Sequence, residues 1–341
     1  MEMRNCASRL KNAKISAISC FVKTPAQFKE HKNMKNKGHS YSGPHADLLH
    51  IARWLGRKIQ DRLQGREYMM TREDFSDLSK AIRYSNWMAP RFAHKKWYQK
   101  MMNGVFGPVE NPKIRSRVIP LNARVKKSKN AVVPYQLIDD FIDSAGFLII
   151  LDECLCRKGM ECKDYPVDFG CIMLGEGART LLRGNHGREV TAEEAKKHVR
   201  EAEKHGLVPF AAHAKAEEQV MGIPEEQHHK FIELCLCCPC CCVAMKNLKY
   251  YPPDIYRHNF INVGFVAKAL PTCKGCNKCV SACPAGAIKK NGNKVWVQED
   301  ICVGCGVCQH ACEYDAIRLV QIGKPKGGLV DYFDGLRLDV S

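Results

Sequence analysis

The chain has 341 residues, 45% of them hydrophobic, which is enough for two or three domains with sizeable cores. No apolar run approaches the roughly 18 residues of a membrane-spanning helix and no secretory signal is evident, so we expect a cytoplasmic protein without a transmembrane segment. In such a reducing setting the 20 cysteines indicate metal ligands rather than disulfides. The formal net charge of +17 favours acidic partners, and the absence of a nucleic-acid-binding motif argues against nucleic acid.

The first segment, residues 1–40, is predicted to be a flexible basic arm. It holds nine Lys or Arg against two Glu and shows few periodic apolar positions. A docking arm is the functional alternative. Cys6 and Cys20 lie in this segment without a partner motif and are given no role.

Residues 41–130 are predicted to form a helical region. Its first helix carries an amphipathic stripe at the spacing of helical turns, formed by Leu48, Ile51, Ala52, Leu55, Ile59 and Leu63. Further helices are predicted at 71–86 and 90–102. The stretch 103–130, rich in Gly, Pro and basic residues, is typical of a linker or an extended excursion.

Residues 131–261 are predicted to form a cysteine-rich central domain. A helix starts at Pro134 and ends at Gly146, and a short buried strand follows at 147–151. A capping box at Thr191 starts a further helix that reaches His205. Ten cysteines lie in this domain: Cys154, Cys156, Cys162, Cys171, Cys235, Cys237, Cys238, Cys240, Cys241 and Cys242.

These ten thiols fall into two groups that could meet as the halves of one site. Only a subset need be ligands, because the side chains of successive cysteines diverge and Pro239 breaks any helix there. Three interpretations stay open. We favour one or two iron–sulfur clusters, in addition to two that the C-terminal cysteines are predicted to hold. The others are a zinc site and a redox-active thiol pair. Arg157 and Arg179 are interpreted as salt-bridged surface residues or, for Arg157, as a counter-charge to thiolates.

The strongest signal is a duplicated cysteine motif near the C-terminus. Two runs of C-x2-C-x2-C-x3-C lie 29 residues apart, the first opening at Cys273 and the second at Cys302. In proteins with two cubane clusters the fourth cysteine of each run ligates the other cluster. One predicted ligand set is therefore Cys273, Cys276, Cys279 and Cys312, and the other is Cys302, Cys305, Cys308 and Cys283. Two zinc sites are the alternative.

Short strands and helices are predicted around these motifs, in a module that spans 262–321. Asn291-Gly292 marks the turn of a hairpin over 287–297, and residues 262–268 and 316–320 are predicted as its first and last strands. Residues 322–341 are predicted to be a tail that lies on the helical domain. The fold class expected for the whole chain is α+β.

The duplicated segment resembles the two-[4Fe-4S] bacterial ferredoxins. That resemblance implies two [4Fe-4S] clusters and transfer of single electrons. One departure is Glu313, which follows Cys312 where the family usually has proline; we expect its carboxylate to lower the potential of one cluster. Residues 131–320 also resemble larger dicluster ferredoxin-like proteins of strict anaerobes, through Glu153-Cys154-Leu-Cys156-Arg157 and the 235–242 run.

Together these patterns predict an iron–sulfur electron-transfer protein of anaerobic metabolism. Electrons would pass through the two C-terminal clusters to or from a redox protein partner, with at least one further cluster in the central region. Each oxidised cluster carries about −2, so two of them lower the net charge of +17 to about +13, which still favours an acidic partner. The alternatives are an oxidoreductase, here a reductase whose central cysteines form a metal- or thiol-based active site, and an assembly subunit.

Overall fold

A computed structural model describes residues 44–65, 68–107, 114–119, 134–252, 255–256, 259–322, 333 and 338–341. The basic arm expected at 1–40, with Cys6 and Cys20, lies outside these ranges. The described residues combine helices with a large, mostly antiparallel sheet and two small ones, so the fold class is α+β, as the sequence predicts.

Three helices form the N-terminal region: α1 (Pro44–Leu63), α2 (Arg72–Phe92) and α3 (Lys96–Phe106). Helix α2 begins with a capping box, in which the Thr71 hydroxyl accepts the Asp74 N–H at 3.1 Å. It extends beyond the predicted end and takes in Pro90. The three helices predicted here are confirmed, with shifted bounds.

The face that α1 turns inward is not the predicted apolar stripe. Leu55 and Ile59 are 44% and 59% exposed, and Leu63 is more exposed still. Helix α1 is joined to α2 by ion pairs instead, including one from Arg83 to the fully buried Asp47 at 2.6 Å. The helix is therefore where the stripe predicts it, while polar contacts hold it in place.

A seven-stranded sheet forms the centre of the described chain. Its strands are β1 (Ile114–Val118), β2 (Leu148–Leu151), β3 (Ile172–Leu174), β4 (Gly187–Glu189), β5 (Val208–Ala214), β6 (Ile232–Cys237) and β7 (Phe260–Asn262). The spatial order is β4-β2-β3-β6-β5-β1-β7, and the pairs are antiparallel except for β1 with β7. Strand β1 lies in the stretch predicted as a linker or extended excursion.

Helices cover the faces and ends of this sheet. They are α4 (Pro134–Asp143), α5 (Leu155–Gly159), α6 (Arg179–Arg183), α7 (Ala192–Lys204), α8 (Lys215–Met221) and α9 (Val243–Asn247). The predicted capping box at Thr191 and the buried strand β2 are confirmed. Helices α4 and α7 pack on one face through Ile138, Phe141 and Val199. Among the helices that the structure describes, none has both the length and the apolar character to cross a bilayer.

The C-terminal module has its own small sheets. Strand β8 (Phe265–Ala269) pairs with β11 (Ile317–Gln321), and β9 (Ile288–Asn291) forms a hairpin with β10 (Lys294–Val297). Short helices α10 (Lys278–Ala282) and α11 (Val307–His310) each follow a loop with two cysteines and carry the third cysteine of the motif themselves. The predicted first and last strands and the Asn-Gly hairpin are confirmed.

The end of the chain lies on the central sheet. Phe333 and Val340 are buried in the same apolar cluster as α4, and the Val340 carbonyl accepts the Gly146 N–H at 2.8 Å. These described residues of the tail therefore pack on the central domain and not on the N-terminal helices, where the tail was expected. The apolar character of Phe333, Leu338 and Val340 explains the difference, since they extend the apolar cluster that α4 and α7 form with the sheet.

Candidate metal centres

A small cavity in the C-terminal module lies between four thiols. Its cysteines are Cys283, Cys302, Cys305 and Cys308. Apolar side chains, among them Ala267, Ile288 and Leu319, complete the lining. The four cysteines are the second ligand set that the sequence predicts, and a cavity walled by thiols and apolar groups suits an iron–sulfur cluster.

The other four cysteines of the duplicated motif also lie together. Cys279 is buried, and burial together with the charges of Cys312, Cys276 and Cys273 raises the pKa of its thiol to about 11. An isolated thiol in this position would stay protonated at neutral pH, so a bound metal is what would make it a thiolate. These four cysteines are the first predicted ligand set. That they bind a cluster stays a prediction.

Backbone groups approach the sulfurs closely. The Ala267 N–H donates to the Cys302 sulfur at 3.4 Å and the Ala316 N–H donates to the Cys312 sulfur at 3.2 Å. Gly304 makes one such approach possible: its φ is +68°, and a Cβ there would lie 2.3 Å from the Phe265 carbonyl oxygen. N–H donors at the sulfurs stabilise a reduced, more negative cluster.

A comparison with known families decides what this segment is. Residues 272–327 match the 4Fe-4S dicluster domain. The match covers the duplicated motif and the hairpin, so the C-terminal segment is a dicluster module with the capacity to carry [4Fe-4S] clusters. No curated protein and no solved structure matches the chain. For the central region the argument therefore depends on geometry.

The ten central cysteines meet, but as two groups. Strand β6 places Cys235 and Cys237 on one face, because side chains alternate along a strand. The turn after β6 carries Cys238, Cys240, Cys241 and Cys242, and Asn86 of α2 donates to the Cys241 carbonyl at 2.9 Å. Helix α2 packs tightly against α5, the helix that carries Cys156. A Cβ on Gly159 of α5 would lie 1.9 Å from the carbonyl oxygen of Ser79 on α2.

The first group, the four-thiol site, consists of Cys162, Cys238, Cys240 and Cys241. Their sulfurs all lie within 4.8 Å of one another. The Cys162 and Cys240 sulfurs are 3.8 Å apart, and those of Cys240 and Cys241 are 3.5 Å apart. Four thiolates around one ion at about 2.3 Å have sulfurs separated by about 3.8 Å, so the spacing fits a single tetrahedral metal ion. The thiols of Cys238, Cys240 and Cys241 lower the pKa of Cys162 below its ordinary value.

The second group, the six-thiol ring, consists of Cys154, Cys156, Cys242, Cys237, Cys235 and Cys171. Each thiol acts on the pKa of the next in this order, and Cys171 acts on that of Cys154. The pairing of Ile172 with Leu234 brings Cys171 beside Cys235, and the Cys242 and Cys237 sulfurs are 3.1 Å apart. The Val243 N–H, next to Cys242, donates to the Cys156 sulfur at 3.5 Å. Neighbouring thiols lower the pKa of Cys154 and of Cys242 below the ordinary value.

Arg157 lies between the two groups of thiols. It is fully buried and donates to three carbonyl oxygens, those of Pro166 at 2.7 Å, Leu236 at 2.8 Å and Phe169. Burial opposes its charge, but the sulfurs of both groups raise its pKa above the ordinary value. The interpretation of Arg157 as a surface salt bridge is therefore wrong, whereas Arg179 does pair with Glu176 at 2.6 Å on the surface.

A pair of carboxyls beside the ring, the buried Glu233 and the half-buried Glu217, was missed in the sequence. The Cys235 thiol donates to Glu233 at 3.1 Å, and the charge of Glu217 acts on the pKa of Glu233. Burial raises the pKa of both carboxyls. The alternation of Glu233, Cys235 and Cys237 along β6 was the available signal, because it places all three on one face.

Proposed function

We propose that the protein is an iron–sulfur electron-transfer protein. The observation that carries this proposal is the cavity walled by Cys283, Cys302, Cys305 and Cys308, inside a segment that matches the 4Fe-4S dicluster domain. When bound, each [4Fe-4S] cluster supplies the exchange of one electron. No hydrolytic triad or nucleotide-binding loop is evident in the sequence, so electron exchange accounts best for the chemistry present.

In this proposal the chain holds, shields and tunes the clusters. Cys273, Cys276, Cys279 and Cys312 hold one cluster; Cys302, Cys305, Cys308 and Cys283 hold the other. Buried apolar residues of the module, such as Ile288 and Leu319, exclude water from the sulfurs. Backbone N–H donors from Ala267 and Ala316 offset the charge of the thiolates.

The surface beside Cys276 supports an acidic redox protein as the partner. Cys276 is an exposed ligand candidate, and exposed Lys274 and Lys278 flank it. Positive charge beside an accessible cluster steers a negatively charged donor or acceptor toward the site of exchange. We place this exchange in a reducing cytoplasm and in anaerobic metabolism, in accord with the number of free thiols in the described chain.

The test is anaerobic purification of the full chain followed by iron, sulfide and EPR analysis. Two clusters require about eight irons and eight sulfides in the module, and reduction with dithionite should give the broad signal of two interacting [4Fe-4S]+ centres. Cys305→Ser should remove the interaction, because it takes one ligand from the second set. Cys20→Ser, a cysteine given no role, is the matched control. A colourless protein with zinc in place of iron would overturn the proposal.

A reductase is the second candidate function. It is favoured by one observation, the carboxyl pair of Glu217 and Glu233 beside Cys235. A carboxyl that hydrogen-bonds to a ring thiol could supply a proton to a substrate reduced there. Steady-state oxidation of reduced viologen by added substrates, lost in Glu233→Gln with the dicluster EPR signal intact, would favour this candidate over electron relay alone.

A further inference from the structure

We propose that the six-thiol ring holds a polynuclear iron–sulfur centre, distinct from the four-thiol site and from the clusters of the dicluster module. The proposal deepens the proposed function and rests on it, because it assigns further redox metal to the same chain. It divides the ten central cysteines into two sites of different nuclearity. The four-thiol site takes one ion, and the ring takes several.

The contacts within the ring exclude one metal ion. Among the described residues, no three sulfurs of the ring lie within 4.8 Å of one another, so the six surround a space too wide for one ion. By contrast, the four-thiol site has every sulfur within 4.8 Å of every other, which is the compact arrangement that one tetrahedral ion requires. Six thiolates also exceed the four that a single zinc ion takes.

The contacts also disfavour a pair of zinc ions. Two tetrahedral ions that share six thiolates need two bridging sulfurs, each close to most of the others. No sulfur of the ring is so placed, since in the described chain no three of the six lie within 4.8 Å of one another. Inorganic sulfide can fill the interior and bridge the metals, which leaves each cysteine as a terminal ligand.

Arg157 places a buried positive charge beside both groups of thiols. Its guanidinium is 0% exposed, and its hydrogen bonds go to carbonyl oxygens. Among the described residues no carboxylate forms an ion pair with it, whereas sulfurs of Cys154 and Cys171 in the ring and of Cys238 in the four-thiol site act on its charge. A buried cation needs a counter-anion, and metal-bound thiolates supply one.

The ring is connected to the dicluster module by packed apolar groups. Cys237 and Cys242 belong to the same apolar cluster as Cys305. Within it the ring of Phe260 lies between those of Tyr251 and Tyr256, at centroid distances of 5.3 and 6.2 Å. This row keeps water out of the space between the two thiol regions. A water-free connection between two metal sites favours electron transfer, which iron can perform and zinc cannot.

Metal analysis of the full, anaerobically prepared chain tests the proposal. The dicluster module accounts for about eight irons and eight sulfides, so we expect both counts to exceed eight per chain. Mössbauer spectra of protein enriched in ⁵⁷Fe should show iron beyond the cubane components, with sulfide in proportion. Counts of eight and eight, with zinc as the remaining metal, would overturn the proposal without affecting the proposed function.

Variants assign the excess iron to the ring. Cys171→Ser should lose the iron and sulfide above eight and keep the EPR signal of the dicluster module. Cys240→Ser is the matched variant in the four-thiol site and should keep the excess sulfide. If Cys171→Ser fails to fold by circular dichroism, the wild-type counts decide. Excess iron and sulfide in a protein without the dicluster EPR signal would instead refute the proposed function, on which this inference rests.

Discussion

Lys278 and Glu313 form an ion pair beside the first predicted ligand set. The Lys278 Nζ lies 2.5 Å from the Glu313 carboxylate, and both side chains are partly exposed. The pair joins the start of α10 to the residue that follows Cys312. The carboxylate that the sequence predicts to lower one potential is therefore partly neutralised by a cation from the first motif.

The pair gives a prediction with opposite signs for its two members. Glu313→Gln should raise the midpoint potential of one cluster, because an uncompensated Lys278 then favours the added electron. Lys278→Gln should lower the same midpoint, and the double variant should return close to wild type. Each single shift should be on the order of tens of millivolts. EPR-monitored redox titration measures it; midpoints that stay fixed in both single variants would contradict it.

Arg157 gives a second prediction at the scale of one residue. Arg157→Met leaves buried thiolates without their counter-charge, so it should destabilise the metal-loaded protein by about 3–5 kcal/mol. Arg157→Lys should be intermediate, since a lysine keeps the charge but cannot reach three carbonyls at once. Chemical denaturation under anaerobic conditions measures both. Arg179→Met, at an exposed ion pair, is the control and should change little.

At the scale of elements, α1 and α2 are joined by buried charges. Asp77, on α2, accepts from His50 at 2.6 Å and from Arg57, both on α1. Burial alone would raise the pKa of Asp77, but hydrogen bonds from Arg57 and His50 lower it below the ordinary value. The stabilisation that follows is complete above the unfolded-state pKa of about 3.9 and is lost as pH falls through the folded pKa.

A measurement at pH 7 therefore captures the whole contribution of this helix pair. Asp77→Asn should lower the free energy of unfolding by roughly 3–5 kcal/mol, because Arg57 and His50 lose a buried partner. Glu73→Gln removes an exposed partner of Arg57 and should cost about 0–1 kcal/mol. Equal effects of the two substitutions in urea denaturation would show that burial does not decide the strength of these pairs.

Elements with local signals were predictable from the sequence. The capping box at Thr191 and the Asn291-Gly292 turn each satisfy their own backbone within a few residues, so sequence and structure agree there. Strand β1 was missed because its partner β5 lies far along the chain and β1 itself alternates basic and small or apolar residues. The apolar stripe on α1 predicted the helix but not the face that packs on α2. That face is determined by ion pairs with carboxylates on α2, which the stripe does not show.

In the candidate sites too, features set by neighbouring residues were predictable, whereas those set by contacts between distant residues were not. The spacing of the duplicated motif predicts both C-terminal ligand sets, and the structure brings the four cysteines of the second set around one cavity. The division of the central cysteines into four and six depends on which thiols of the 235–242 run face Cys162 and which face Cys154. Strand β6 and the turn after it determine which thiols face each way, and no short sequence pattern predicts this.

At the scale of the whole molecule, the proposed function gives the exposed basic charge beside Cys276 a role in steering an acidic partner. Lys274→Glu should slow reduction by an acidic flavodoxin-type donor by on the order of several-fold at low salt, and the wild-type rate should itself fall as salt rises. Stopped-flow absorbance measures both. Reduced methyl viologen, a small cation, is the control donor and should not be slowed. A loss of rate with both donors would indicate a damaged cluster rather than weaker docking.

Two of the apolar clusters in the described chain differ in size and in how many cysteines they contain. The dicluster module has a small apolar cluster in which six cysteines take part, with Ala267, Ile288, Val295, Ile317 and Leu319. The cluster between α4, α7 and the sheet is larger and contains no cysteine. Since metal binding supplies folding free energy where a core is small, removal of iron should affect the two regions unequally.

Iron removal should therefore unfold the module first. With an anaerobic chelator, backbone amides of β8 and β11 should lose protection from hydrogen exchange, while those of α4 and α7 stay protected. Hydrogen–deuterium exchange with mass spectrometry follows both regions in one sample, and readdition of iron and sulfide should restore β8 and β11. Simultaneous loss in both regions would mean that the central metal sites hold the sheet together as well, and that the chain unfolds as one unit.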